Sequence, residues 1–199
     1  MTSILKVDTI QDADGNNIIN ESGNTITVGA SGDTTNVIGT LNKDGVAVAN
    51  TPAFEAYRTS NQTGIANDTS TKVEFNVEGF DTNSSYDNST NYRFTVPSGQ
   101  AGKYFIYAGV QIEAGGGSSD LKEASCQIYK NGSVFRYNQS KFDNNFIKYH
   151  QIGNQATMDL SVGDYIEIYA HAKTNSASSS NIFNSGNKQT YFGGYKIIE

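Results

Sequence analysis

A chain of 199 residues is long enough to bury a full hydrophobic core, and its large apolar surface rests on 12 Tyr and 10 Phe, with no Trp, in a background rich in Gly, Asn, Ser and Thr, the texture of an all-β protein with many turns. A formal net charge of -6 without a cluster of Lys or Arg excludes a phosphate-neutralising nucleic-acid surface. One cysteine excludes an intrachain disulfide framework and a multi-cysteine zinc site, and no run of about 18 apolar residues is present to cross a membrane as a helix.

The chain opens on "MTSILKVDTIQDADGNNIIN", which has no basic stretch followed by an apolar one, so no export signal is expected. The seven Asn-x-Ser/Thr sequons, at Asn20, Asn61, Asn67, Asn83, Asn88, Asn131 and Asn138, are accordingly read as chance in so Asn-rich a chain. Asp8, Asp12 and Asp14 raise the question of calcium, which takes several oxygens from closely spaced carboxylates. Gly15 stands fourth from Asp12, where a calcium loop needs glycine sixth, and no glutamate closes the loop. Asp14-Gly15 between apolar stretches reads instead as a hairpin turn.

Up to Pro52 short apolar pairs (Ile18-Ile19, Ile26 and Val28, Val37-Ile38, Val46 and Val48) alternate with the turn signals "DGNN", "ESGN", "GASGD" and "NKDG". Ordering each residue costs about 1–2 kcal/mol of backbone entropy, which a few Ile and Val side chains cannot offset. Residues 1–51 are therefore either disordered or an extended or intertwined β-stalk in which identical copies cover one another, and the regular turn chemistry favours the stalk.

From residue 52 to 199 the pattern is that of one all-β domain. "TKVEFNVEGF" places Val73, Phe75 and Val77 on one face of a strand, and "NYRFTV" does the same with Tyr92, Phe94 and Val96. "GKYFIYAGVQI" is apolar on both faces, Tyr104, Ile106, Ala108 and Val110 on one and Phe105 and Tyr107 on the other, so it must be covered twice. "ASCQIYKNGSVFRY" predicts a hairpin turning at Asn131-Gly132, with Cys126 buried between Ala124 and Ile128. "QATMDLSVGDYIEIYAHA" gives a strand, a turn at Gly163-Asp164 and a second strand, and "TYFGGYKIIE" a terminal one. The segments 113–122 and 173–187 read as exposed polar loops, either plain connections or a recognition rim with Phe183 as its aromatic contact. Some eight to ten short strands without helical periodicity predict a sandwich or jelly roll.

No chemical signature accompanies this pattern. His150 and His171 have no second ligand at metal spacing, no Gly-x-Ser-x-Gly elbow is present, and neither catalytic residues nor a cofactor or metal is expected.

"PAFEAYRT", "TKVEFNVEGFDTNSSYDNSTNYRFTVP", "AGKYFIYAGVQI", "IYKNGS", "MDLSVGDYIEIYA" and "TYFGGYKI" follow in order the pattern of the globular head of complement component 1q, and residues 52–199 resemble that family. The resemblance implies a ten-stranded jelly roll of the tumour-necrosis-factor type packed as a homotrimer, with Phe105 and Tyr107 facing neighbouring subunits and Asp164 in a structural role. Residues 1–51 carry no Gly-X-Y repeats of the kind that form the collagen stalk in that family's animal members. Instead Leu5, Lys6, Val7, Ile10, Gln11, Asp12, Gly15 and Asn16 resemble the opening of short fibre proteins of marine bacteriophages. That second resemblance implies a virion protein made in the host bacterial cytoplasm. Leu5, Val7, Ile10, Ile18 and Ile19 would dock on other virion structural proteins, and the knob would adhere to a bacterial-surface glycan or protein, with no nucleic-acid partner and no membrane insertion. A head-decoration or connector protein, and a secreted complement-like or cytokine-like ligand, are the alternatives.

Overall fold

A computed structural model describes residues 9–11, 13–14, 17–22, 25–28, 31–39, 41–43, 46–47, 50–115, 119–143, 147–176, 179–184 and 186–197. The chain divides into two compact units, Met1–Val48 and Ala49–Glu199. Among the described residues there is no α-helix.

In the first unit β1 (Thr9–Gln11), β2 (Asn17–Ser22) and β3 (Thr25–Val28) form an antiparallel meander, and β4 (Asn42–Lys43) pairs with β5 (Val46–Ala47). The acidic stretch does turn: Ala13 and Asp14 occupy the bend that brings Gln11 opposite Asn17 and Ile10 opposite Ile19. Val37-Ile38, expected as a strand, is not one. Its backbone pairs with nothing regular among the described residues, and Ile38 is 94% exposed, because an isolated apolar pair has no neighbouring strand to complete a ladder.

The second unit is a sandwich of two antiparallel sheets. The six-stranded sheet contains β8 (Thr69–Lys72), β10 (Tyr86–Asp87), β11 (Arg93–Thr95), β13 (Leu121–Lys130), β14 (Ser133–Lys141) and β16 (Tyr165–Thr174), in the order β10-β11-β16-β13-β14 with β8 also on β16. The seven-stranded sheet contains β6 (Ala53–Tyr57), β7 (Gln62–Ala66), β9 (Val77–Asp81), β12 (Gly102–Ala114), β15 (Tyr149–Leu160), β17 (Ser179–Ile182) and β18 (Tyr191–Lys196). Its order is β7-β17-β12-β18-β6-β9, with β15 on the other edge of β12.

The inward faces meet in an aromatic core. Phe54 lies at its centre, stacked on Phe94 at 4.7 Å between ring centroids and on Tyr86 at 5.5 Å, with Phe192 edge-on at 4.9 Å. Tyr86 satisfies its hydroxyl by donating to the Phe75 carbonyl at 3.2 Å, and burial holds its phenol far above the ordinary range. Tyr104, Ile106, Ala108 and Val110 point into this core from β12, as their alternation predicts. Cys126 is fully buried with Ala124 and Ile128, and its thiol is pushed up to about 12 by desolvation.

Four sequence expectations are corrected. "TKVEFNVEGF" is not one strand: its start belongs to β8 in one sheet and its end to β9 in the other, while 73–76 cross between them with Val73 and Phe75 buried on the way. Burial keeps the two-residue rhythm through the crossing, which is why the pattern reads as continuous. "NYRFTV" starts with Asn91 in a turn and Tyr92 at φ 49°, and only Arg93–Thr95 is strand. The segment 173–187 is not an exposed loop throughout. Within it β17 lies between β7 and the end of β12, with Ser180 and Ile182 buried. Likewise Asp120 and Leu121 of 113–122 are buried, whereas 116–118 lie outside the described residues.

The hairpin β13–β14 turns where expected, with Asn131 at φ 51° and Gly132 at φ 77°, both left-handed as a two-residue turn matching strand twist requires. This turn is tied to the one joining β15 and β16. Asp164 accepts from Lys130 Nζ at 2.8 Å, Asn131 Nδ2 at 2.7 Å and the Ser161 amide at 2.9 Å, while Asn131 Oδ1 accepts from the Tyr165 amide at 2.9 Å. The Lys130 ammonium above all, then the Asn131 amide and the Ser161 N–H, hold the Asp164 carboxyl down to about 2. A carboxylate held below its unfolded value of about 3.9 stabilises the fold above that pH and loses its contribution as the pH falls toward about 2. Asp164→Asn is therefore expected to cost about 1–2 kcal/mol at pH 7. Urea denaturation at stepped pH should show the gap from wild type closing between pH about 4 and about 2.

Candidate functional site: an aromatic sheet face

The outward face of the seven-stranded sheet carries rings where a solvated sheet would carry polar groups. Side chains alternate along a strand, so burying Tyr104 and Ile106 of β12 turns Phe105 and Tyr107 outward. Register places Tyr195 of β18 opposite Phe105, Gly193 opposite Tyr107, and Tyr191 opposite Gly109. The rings touch across the strands: Phe105 is 5.7 Å from Tyr195 and 6.1 Å from Tyr107, and Tyr107 is 6.3 Å from Tyr191.

Glycine opposite each inner ring lets the rings lie flat. A Cβ at Gly193 would come within 2.4 Å of the Tyr107 ring, and one at Gly109 within 2.6 Å of the Tyr191 ring. The Tyr107 hydroxyl donates to Glu55 Oε2 of β6 at 3.1 Å. Burial first, then the Glu55 charge, push that phenol up to about 12, so it stays a donor at neutral pH.

Toward β15 and β14 the same face opens into a depression of about 660 Å³ bordered by Phe105, Tyr107, Tyr191, Arg136, Asn138 and Gln155. Arg136 Nη1 donates to the Gln155 carbonyl at 3.0 Å and Asn138 Nδ2 to the Gly153 carbonyl, so these polar groups pin the edge strand β14 against β15. Beyond them Val134, Phe135 and Tyr137 of β14 are each about half exposed, at 52%, 45% and 48%. The rings of β18 and β12 thus form an aromatic belt, and the half-exposed residues of β14 lie across the polar-lined depression from it.

Of the residues singled out in the sequence, Phe105 and Tyr107 are brought together here. Phe183 is not with them. It follows β17 toward the Ala114 end of β12, half-buried, with its amide donating to the Gln111 carbonyl at 2.7 Å and its ring 4.9 Å from Tyr149. Ile10 and Ile19 face each other in the meander of the first unit. Leu5 and Val7 lie outside the described residues, as does the side chain of Ile18. Sequence reasoning missed Tyr191 and Tyr195, although "YFGGYK" carries the signal: alternation around the two glycines puts both tyrosines on one face. It predicted β14 as the second strand of a hairpin and missed that it is an exposed edge, because nothing local distinguishes an edge strand from a covered one.

The histidines are held as isolated polar groups. His150 Nε2 is 3.0 Å from Ser140 Oγ, with its pKa lowered by burial, and His171 Nε2 is 3.0 Å from Asp68 Oδ1. Asp87 is a turn carboxylate, held far below the ordinary range by the Thr90, Ser89 and Asn91 amides.

No protein-family model matches the chain, and no curated protein matches its sequence. Solved structures do. The Eiger TNF of S. frugiperda is similar at a TM-score of 0.52 and 10% identity over 73% of this chain and 91% of that one. Murine APRIL is similar at 0.51 and 12% identity over 73% and 98%. The globular domain of zebrafish complement 1qA is similar at 0.48 and 19% identity over 73% and 97%. The first two likenesses define the fold class, a jelly roll of the tumour-necrosis-factor type, in agreement with the jelly roll that the sequence resemblance implies.

Proposed function

We propose that this is a non-enzymatic structural protein of a bacteriophage particle, a short fibre whose jelly-roll unit is the knob of a homotrimer. The single observation that carries the assembly is the aromatic belt. Phe105, Tyr107, Tyr191 and Tyr195 form an aromatic face, Tyr195 still 38% exposed, and the edge strand β14 beyond the depression exposes Val134, Phe135 and Tyr137. A patch of this kind marks an association surface. A flat face on one copy meeting an edge on the next is a head-to-tail contact, which gives a ring where its rotation closes. The families that residues 52–199 resemble close that ring at three, which supports the same number here.

The virion assignment is supported by the opening residues, which resemble those of phage fibres, and by an N-terminal unit of short strands too thin to hold a core. In this reading the N-terminus docks on other virion proteins. The knob adheres to a glycan or protein of the bacterial surface, and three weak sites on each knob combine into lasting attachment.

Light scattering of the full chain tests the assembly: a particle of three copies is expected, and a stable monomer of 21.5 kDa overturns it. Antibody labelling of purified phage particles tests the placement. Labelled particles together with knob binding to whole host cells are expected. Labelled particles without cell binding mean a head-decoration or connector protein, and secretion into the medium means a complement-like or cytokine-like ligand.

A further inference from the structure

The three-strand meander of the first unit leaves one row of side chains bare. Register aligns Ile10 of β1 with Ile19 of β2, and Ile19 with Val28 of β3; Ile26 stands two residues before Val28 and so shares its face. Their exposures are 39%, 38%, 51% and 69%. A sheet this small is stable only with its apolar face covered.

The size of the row selects what covers it. Four aliphatic side chains bury roughly 300–500 Å², whereas a separate protein needs about 800 Å² on each partner for a stable interface. The row is too small to recruit an independent partner from solution. It suffices for an occupant already held nearby, because tethered segments meet at effective concentrations on the order of millimolar. The occupants so held are the other copies of this same chain, joined through the knob.

We infer that Ile10, Ile19, Ile26 and Val28 form a self-association seam, in which the meanders of the three copies bury these rows against one another along the fibre axis. The inference rests on the trimeric knob. It moves Ile10 and Ile19 from the virion contact to the interior of the fibre.

Cross-linking tests it on the full chain. Ile19→Cys places a thiol in the middle of the row, and Ile38→Cys places one outside the meander at a residue that is 94% exposed. The native Cys126 is fully buried and takes no part. Each variant is treated with a short bis-maleimide, and covalent dimers are followed on denaturing gels while light scattering records the assembly. Trimers in which Ile19→Cys cross-links between chains about tenfold faster than Ile38→Cys are expected, since both thiols share the tether and only one shares the seam. Trimers in which both variants react at the same rate overturn the seam and leave the trimeric knob standing. Monomers of both variants overturn the knob assembly and the seam with it.

Discussion

Phe105→Glu is expected to turn the proposed trimer into a folded monomer. The substitution removes a ring that packs on Tyr195 and Tyr107, and sets a carboxylate in a face where Glu55 already supplies negative charge beside the Tyr107 hydroxyl. Losing the buried ring costs about 2 kcal/mol per contact, and desolvating an unpaired carboxylate costs several more. Association at each interface should weaken about a thousandfold or more. The monomer survives because Tyr104 and Ile106, on the opposite side of β12, fill the core unchanged. Light scattering together with far-ultraviolet circular dichroism checks both halves. A variant that remains trimeric would mean that the knob assembles through another surface, and the aromatic belt would lose its role.

Phe54→Ala is expected to cause the largest loss of stability in the knob. Phe54 is 1% exposed and contacts Phe94, Tyr86 and Phe192 at once, so its removal leaves a cavity walled by three rings on two sheets. A phenylalanine truncated in a packed core costs about 3–5 kcal/mol, against a total of about 5–15 kcal/mol for a domain. Guanidinium denaturation at one protein concentration should show a lower midpoint with an unchanged slope, while Phe54→Leu recovers most of the difference. Fixing the concentration matters because trimer formation adds to the apparent stability. A midpoint as high as wild type would show that β6 is not held by the core around Phe54.

The two outcomes separate the faces of a single sheet. Damage to the inward face is expected to lower stability, and damage to the outward face to remove the proposed assembly and leave the fold.

Much of this architecture is legible locally. The double-faced pattern of 102–114, the Asn131-Gly132 turn and the Gly163-Asp164 turn all appear where the chain predicts them, since alternation and left-handed turn residues are properties of neighbouring positions. The Asp14 turn follows for the same reason. What resists is whatever depends on a distant partner. "SSNI" of β17 has no strand composition, and becomes a strand because Gln62–Ala66 and the end of β12 offer it ladders on both edges. Val37-Ile38 has the composition and finds no ladder among the described residues. "TKVEFNVEGF" keeps one uninterrupted rhythm while its backbone leaves one sheet and joins another.

The amino-acid sequence by itself determines that this chain folds as β-structure, which residues of its clearest strands turn inward, and where the tight turns fall. Those features follow from side-chain period and backbone sterics, which act over a few residues. Only the tertiary structure decides which strands share a sheet, that Tyr191 and Tyr195 join Phe105 and Tyr107 in one belt, and that Phe183 stands apart from it. Strand pairing joins residues far apart in the chain through backbone hydrogen bonds that every residue can make, so composition alone carries no record of the choice.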